Sequence, residues 1–200
     1  MEKPKNKFSG IETLENIFGE KSSPITVGLS GGSSIKPVLN WLRLNSSVKE
    51  NINLVVIDER QVPYNHPESN RGMVEKMLGP GVAALSAREI WENNICIKNL
   101  DVLIMGFGAD GHIASVFPGL YSQHVISRSI AYRTKHAWGV PNIVRFSLDE
   151  IFLLSASKIY LLIQGAEKMV AFEKIMKEGD TRIPLVRLLK KRPDTSKLCI

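Results

Sequence analysis

One of the four histidines has company suited to chemistry. His112 closes the run Gly106-Phe107-Gly108-Ala109-Asp110-Gly111-His112, where glycines free the backbone and a carboxylate precedes the imidazole by two residues. An imidazole titrates near neutral pH and can act as a general base, with a neighbouring carboxylate to orient it. His66, His124 and His136 lie in segments without such neighbours. A second cluster is Ser30-Gly31-Gly32-Ser33-Ser34-Ile35-Lys36-Pro37. Its glycines permit close approach of the backbone to a ligand, and Pro37 suits the first turn of a helix starting near Ser34. Free amides at that start, the hydroxyls and Lys36 would cradle a phosphate; the bland alternative is a tight turn. A third cluster is Asp58-Glu59-Arg60-Gln61-Val62-Pro63, running on to Ser69-Asn70. Arg60 offers a planar fork for a carboxylate, phosphate or oxyanion with Asp58 orienting a neighbour, unless the group is only a surface ion-pair cluster.

Two further cations belong with these. Arg145 opens a β run after Pro141, and Lys168 falls in the first turn of a helix beginning Gly165-Ala166-Glu167. A lysine there opposes the helix dipole, so it is either simply exposed or close to an anion. The Ser30–Lys36 loop fits neither the dinucleotide fingerprint nor the P-loop, which argues against a dinucleotide or a nucleoside triphosphate. There is no HExxH and no paired Cys/His set, so no metal is expected. A serine nucleophile is not expected either.

The elements needed to position these residues alternate in type. Ile25–Ser30, Asn53–Asp58, Asp101–Gly108, Ile143–Phe146 and Lys158–Gln164 read as buried strands. Helical spacing follows the first through Val38, Leu39, Trp41 and Leu42, recurs over Asn70–Leu78, and is clearest over Ala166–Lys177. Continuous apolar strands alternating with helices predict an α/β fold with a mostly parallel sheet flanked by helices. The three clusters each follow a strand directly, which places them at the ligand-binding edge of such a sheet.

Composition agrees. The 200 residues, 44% hydrophobic and 23% charged, suit one globular domain over 1–200, with no repeat, low-complexity block or linker. Two distant cysteines, Cys96 and Cys199, read as free thiols. No apolar run nears the roughly 20 residues of a membrane span, and lysine-rich Met1–Lys7 leads into no apolar signal core. A cytoplasmic protein without membrane contact is the expectation. The net charge of +6 concentrates from Lys168 onward, where nine Lys/Arg face four Asp/Glu. Those positives sit at helical spacing among apolar residues, so a solvated helix face is preferred to a nucleic-acid surface.

Taken together, the sequence resembles the 6-phosphogluconolactonase family, enzymes of the oxidative pentose phosphate pathway related to glucosamine-6-phosphate deaminases. The stretches that carry the resemblance are SGGSSIK at 30–36, DERQVP with SN at 58–70, GFGADGHIASVFPG at 106–119, PNIVRFS at 141–147 and GAEK at 165–168. They run through most of the chain; the 106–119 stretch is the specific one. The resemblance implies a single Rossmann-like domain and cofactor-free hydrolysis of 6-phospho-D-glucono-1,5-lactone, a small phosphorylated sugar lactone. It puts His112 on the general base, Asp110 beside it, Arg60 on an active-site arginine, and Ser30 to Ser34, Arg145 and Lys168 on groups that hold the sugar phosphate. Departures are Ser34-Ile35 for the usual Thr-Pro, Phe107 for a smaller residue, Ile113 for a frequent Thr, and a shorter stretch between Asn70 and Asp101. The chain also stops at Ile200, inside the expected last strand. A catalytically inactive sugar-phosphate binder is the first alternative. A deaminase-isomerase is the second, disfavoured because Val116-Phe117-Pro118 supplies no carboxylate where ring opening needs one.

Overall fold

The structure is a computed structural model, and it describes residues 10–18, 23–119, 126–128, 130–134 and 144–199. Its first half runs α1 (Gly10–Phe18), β1 (Ile25–Leu29), a 3₁₀ turn (Ser33–Ile35), α2 (Lys36–Leu44), α3 (Ser46–Glu50), β2 (Ile52–Val56) and β3 (Asp58–Arg60). Next come α4 (Asn70–Leu78), β4 (Ala84–Ser86), α5 (Ala87–Glu92) and β5 (Val102–Met105). The remainder is β6 (Ile126–Arg128), β7 (Ala131–Thr134), β8 (Arg145–Leu148), α6 (Glu150–Leu154), β9 (Lys158–Ile163), α7 (Gly165–Glu178), α8 (Pro184–Lys191) and β10 (Ser196–Cys199). The segment Pro141–Ile143, His124 and His136 lie outside the described residues.

Six strands form a parallel sheet in the order β10-β9-β5-β1-β2-β4. Alternation along each strand splits its apolar residues between two cores. Leu103, Met105, Leu161 and Ile163 face one side with Phe146, Phe172 and Ile175. Ile104 and Leu162 face the other with Val27, Leu29, Leu39 and Leu42. Burial on both faces explains why these strands read as unbroken apolar runs. The chain starts in the middle at β1, builds outward through β2 and β4, then crosses back to β5 and builds the other way. The order therefore reverses between β1 and β5, which opens a crevice at their carboxyl ends.

A second sheet departs from the sequence expectation. β3, β8, β7 and β6 pair antiparallel in that order. Asp58–Arg60, read from sequence as a loop, is a strand whose partner lies far along the chain: Asp58 faces Ser147, and Arg60 faces Arg145. Three charged or acidic residues carry no period-two apolar signal, so only the distant partner defines them as a strand.

Glu59 ties this strand to α4. Its buried carboxylate accepts the backbone N–H groups of Arg60, Asn70 and Arg71, each at 2.8 Å, and the Ser69 hydroxyl at 3.1 Å. Ser69 in turn caps α4 by accepting the Gly72 N–H at 3.0 Å. Helix starts leave N–H groups unpaired, and a carboxylate there also suits the dipole. Among the described residues no helix is long and apolar enough to cross a membrane, and Cys96 and Cys199 are free and exposed.

Glu59→Gln presents an N–H₂ where an acceptor is required and leaves helix-start donors unpaired. It is expected to cost about 1.5–3 kcal/mol, the range for hydrogen bonds to a charged group. Chemical denaturation of the purified variant measures this, and an unchanged midpoint would refute the anchoring role.

Candidate active site

The crevice between β1 and β5 is closed at its base by two hydrogen bonds. Ser30 N–H donates to the Ile104 carbonyl at 3.2 Å, and Gly106 N–H donates to Ser30 Oγ at 3.1 Å. Gly28-Leu29-Ser30-Gly31-Gly32 has the G-x-S-x-G spacing of a nucleophile elbow. Ser30 is buried, however, and its oxygen is engaged by Gly106, so it serves the frame. Gly106–Gly111 likewise has the G-x-G-x-x-G spacing, but it opens no helix, so the dinucleotide fingerprint lacks its structural context.

Above this base lies a cavity of about 240 Å³ lined by Ser30, Gly31, Gly32, Ser33, Ser34, Asp58, Arg60, Asn70, Gly106, Phe107, Gly108, His112, Ala114, Arg145 and Lys168. The three sequence clusters, the arginine of β8 and the lysine of α7 thus meet in one place. Lys36 does not line it: that side chain is exposed at the start of α2. Asp110 stands behind the lining and reaches it through His112. A larger hollow of about 790 Å³ beside α4, with Tyr64, His66, Met73 and Lys76 in its wall, gathers none of the predicted groups.

Two glycines make room for the site's side chains. A Cβ on Gly31 would fall 2.0 Å from the Asn70 amide, and one on Gly108 would fall 2.1 Å from the His112 ring. Gly32 has φ 83° and no side chain caps the 3₁₀ turn that follows, which leaves its first amides available to an anion.

His112 Nδ1 lies 2.6 Å from Asp110 Oδ1, which also accepts the His112 backbone N–H at 3.2 Å. This double grip fixes the ring and turns Nδ1 towards the carboxylate. The other face of the imidazole meets the buried ring of Phe117, with centroids 4.6 Å apart. Burial alone would raise the Asp110 carboxyl; the hydrogen bond and positive charge of His112 outweigh it and hold the group below the usual carboxylate range.

The cations come from the antiparallel sheet and α7. Arg60 and Arg145 stand directly opposite on neighbouring strands. Arg60 Nη1 donates to the Glu68 carbonyl at 2.7 Å and lies 3.3 Å from its carboxylate, whereas the buried Nε has no partner. Arg145 is buried and lies 5.6 Å from the Phe117 ring centre. Burial first, and then the charge of Arg60, hold its guanidinium below the usual arginine range, with Asp58 and Glu68 opposing. Lys168 Nζ donates to the Phe107 carbonyl at 2.6 Å.

Asp58 joins two loops. One oxygen accepts the Gly31 N–H at 3.4 Å, and the other accepts the Ser115 hydroxyl at 3.2 Å. Ser115 is itself held by Ser147 Oγ at 3.4 Å and by the Tyr132 hydroxyl at 2.8 Å. Burial pushes the Tyr132 phenol far above its usual range and keeps it a donor. Asn70, whose Nδ2 donates to the Asp58 carbonyl at 2.8 Å, and Ala114, strained at φ 49°, complete the wall. The sequence reading carries Asn70 at the end of the third cluster without a role of its own and does not single out Ala114.

Fold and site together define a doubly wound α/β protein with a histidine–carboxylate pair beside a crevice at the switch point that is lined by two arginines and a lysine. The model of the family described as glucosamine-6-phosphate isomerases/6-phosphogluconolactonase matches residues 10–95 and 80–197, and the chain belongs to that family. A 6-phosphogluconolactonase of Pseudomonas putida is 29% identical over 192 residues, covering 87% of this chain and 79% of the relative. The crystal structure of a 6-phosphogluconolactonase from Thermotoga maritima superimposes with a TM-score of 0.72 at 24% identity, covering 94% of this chain and 91% of the other. A monomeric glucosamine-6-phosphate deaminase shares the fold with a TM-score of 0.70 at 18% identity, covering 95% and 90%.

Because the Asp110 pKa is lowered in the fold, the stability its pair with His112 contributes is present above the ordinary carboxylate pKa. It is lost as pH falls through the depressed value. Carbon-13 titration is expected to place the Asp110 midpoint below about 3.9, the unperturbed value, and to move it upward in His112→Asn. Identical midpoints in both proteins would refute the pairing.

Proposed function

We propose that residues 1–200 form one domain that hydrolyses 6-phospho-D-glucono-1,5-lactone to 6-phospho-D-gluconate, with His112 as general base. The observation that carries this reading is the 2.6 Å His112–Asp110 pair facing the same cavity as Arg60, Arg145 and Lys168. The names of the relatives support the substrate, a phosphorylated sugar lactone.

With Nδ1–H given to Asp110, the lone pair of His112 falls on Nε2, which takes a proton from water as the oxygen attacks C1. Charge then develops on the carbonyl oxygen, where Arg60 and the free amides of the glycine loop stabilise it. As the C1–ring-oxygen bond breaks, the imidazolium returns its proton to the departing oxygen. Asp110 keeps the ring oriented. Arg145, Lys168, Ser33 and Ser34 hold the phosphate. Asp58, engaged on both oxygens, acts by keeping Gly31 and Ser115 in place and exchanges no proton in this scheme. Phe117 packs an apolar ring against His112 where a second acid–base group would serve deamination, which favours the lactonase over the deaminase.

Two variants test the assignment. His112→Asn is expected to lower hydrolysis, corrected for the spontaneous rate, by about 10²–10⁴; a wild-type rate would overturn the base. Arg145→Ala is expected to weaken 6-phosphogluconate by about 1.5–3 kcal/mol while gluconate binding barely changes. Calorimetry showing equal losses for both ligands would remove Arg145 from the phosphate site.

A further inference from the structure

Lys168 sits where a helix dipole repels a cation, and something must hold it there. Its Nζ is hydrogen-bonded to the Phe107 carbonyl at 2.6 Å and lies 5.0 Å from the centre of the Phe107 ring. Phe107 is only 6% exposed, and its ring meets that of Phe172 edge-on, with centroids 6.0 Å apart and planes at 61°. Lys168 and Phe172 are four residues apart on α7, so one face of that helix carries both the lysine and the ring that fixes Phe107. Behind them, Lys197 Nζ of β10 lies 5.3 Å from the Phe172 ring centre. Each of the two edge-on rings thus carries one ammonium group over it. Phe107 also follows Gly106, whose amide is pinned to Ser30, so the pair is fastened to the base of the crevice.

We propose that Phe107 is a positioning residue for Lys168: its carbonyl and the face of its ring together hold the ammonium at the cavity wall in the position that receives the anionic group of the ligand. This rests on Lys168 as a phosphate ligand in the function proposed above. Any residue at 107 supplies the carbonyl. The ring face is the contribution specific to Phe, and a cation over an aromatic face is stabilised by the ring's quadrupole. Loss of the ring frees the long lysine stem to sample rotamers that point away from the cavity.

The experiment compares wild type, Phe107→Leu, Lys168→Ala and the double variant. Inorganic phosphate and 6-phosphogluconate are titrated by phosphorus-31 NMR and calorimetry, and kcat and KM are measured on the lactone. Phe107→Leu is expected to weaken both anions about two- to fivefold, the range of an exposed to partly buried cation–π contact, and to raise KM more than it lowers kcat. In the Lys168→Ala background the same change is expected to add nothing. Unchanged affinity in Phe107→Leu, or an equal loss with and without Lys168, overturns the proposal, the latter by showing general loosening of the core. If the leucine variant does not fold, Phe107→Met gives the same readout. Wild-type protein that binds phosphate through Lys168 yet hydrolyses no lactone would remove the proposed activity and leave this comparison standing. Phosphate binding indifferent to Lys168 would overturn the positioning role itself.

Discussion

The hydrogen bond from Gly106 N–H to Ser30 Oγ spans the point where the strand order reverses, and the site depends on it. Parallel strands on either side of a switch point send their following loops apart, which is why the crevice exists. Left alone, the loops after β1 and β5 would have no reason to keep a fixed separation. Ser30 sets that separation from below, and the Asp58 carboxylate sets it from the side by holding Gly31 and Ser115. Within this frame space is short enough that glycine is required twice: the Asn70 amide fills the place of a Gly31 side chain, and the His112 ring fills that of Gly108.

The charge comes from the smaller sheet. Like charges directly opposite on adjacent strands are destabilising, yet Arg60 and Arg145 occupy such a pair. Glu68 offsets part of this through its contact with Arg60, and the charge of Asp58 acts on Arg145. The strand that carries Arg60 stays in register because Glu59, pointing the other way, is fastened to the start of α4. Alternation along three residues therefore divides the labour: Asp58 and Arg60 face the site, and Glu59 anchors the strand.

How much of this was legible in the sequence follows from how local each signal is. The buried strands and α4 and α7 were readable because their apolar spacing is complete within ten or so residues. The three loops were readable because glycine and charge directly follow a buried strand. Asp58–Arg60 as a strand was not, since its pairing with Arg145–Leu148 crosses more than eighty residues. That Lys36 is exposed and outside the cavity lining was not legible for a related reason: adjacency to a glycine loop does not say which way the first helical turn points its side chain. The part played by Ser115 needs Asp58, Ser147 and Tyr132 at once, three residues brought together only by the tertiary fold.

The state of the cations before a ligand arrives bears on how the proposed complex gains affinity. Lys168 already donates to a neutral carbonyl. The ammonium is charged, so a bond to either acceptor lies in the range of about 1.5–3 kcal/mol. A phosphate oxygen that shares the ammonium with the carbonyl adds charge–charge attraction, and the lysine loses little rotamer freedom because it is already held. Arg60 works differently. Its Nη1 stays with Glu68, while the buried Nε has no partner, and an unmade buried hydrogen bond costs about 1–3 kcal/mol. In the proposed reaction an oxygen within reach of that Nε would recover part of this cost as a neutral acceptor and more as negative charge develops on it. Interactions that strengthen in the transition state accelerate the chemical step, whereas those equal in both states only tighten binding. In the proposed reaction the two cations divide along that line, with Lys168 serving binding and Arg60 serving the developing oxyanion.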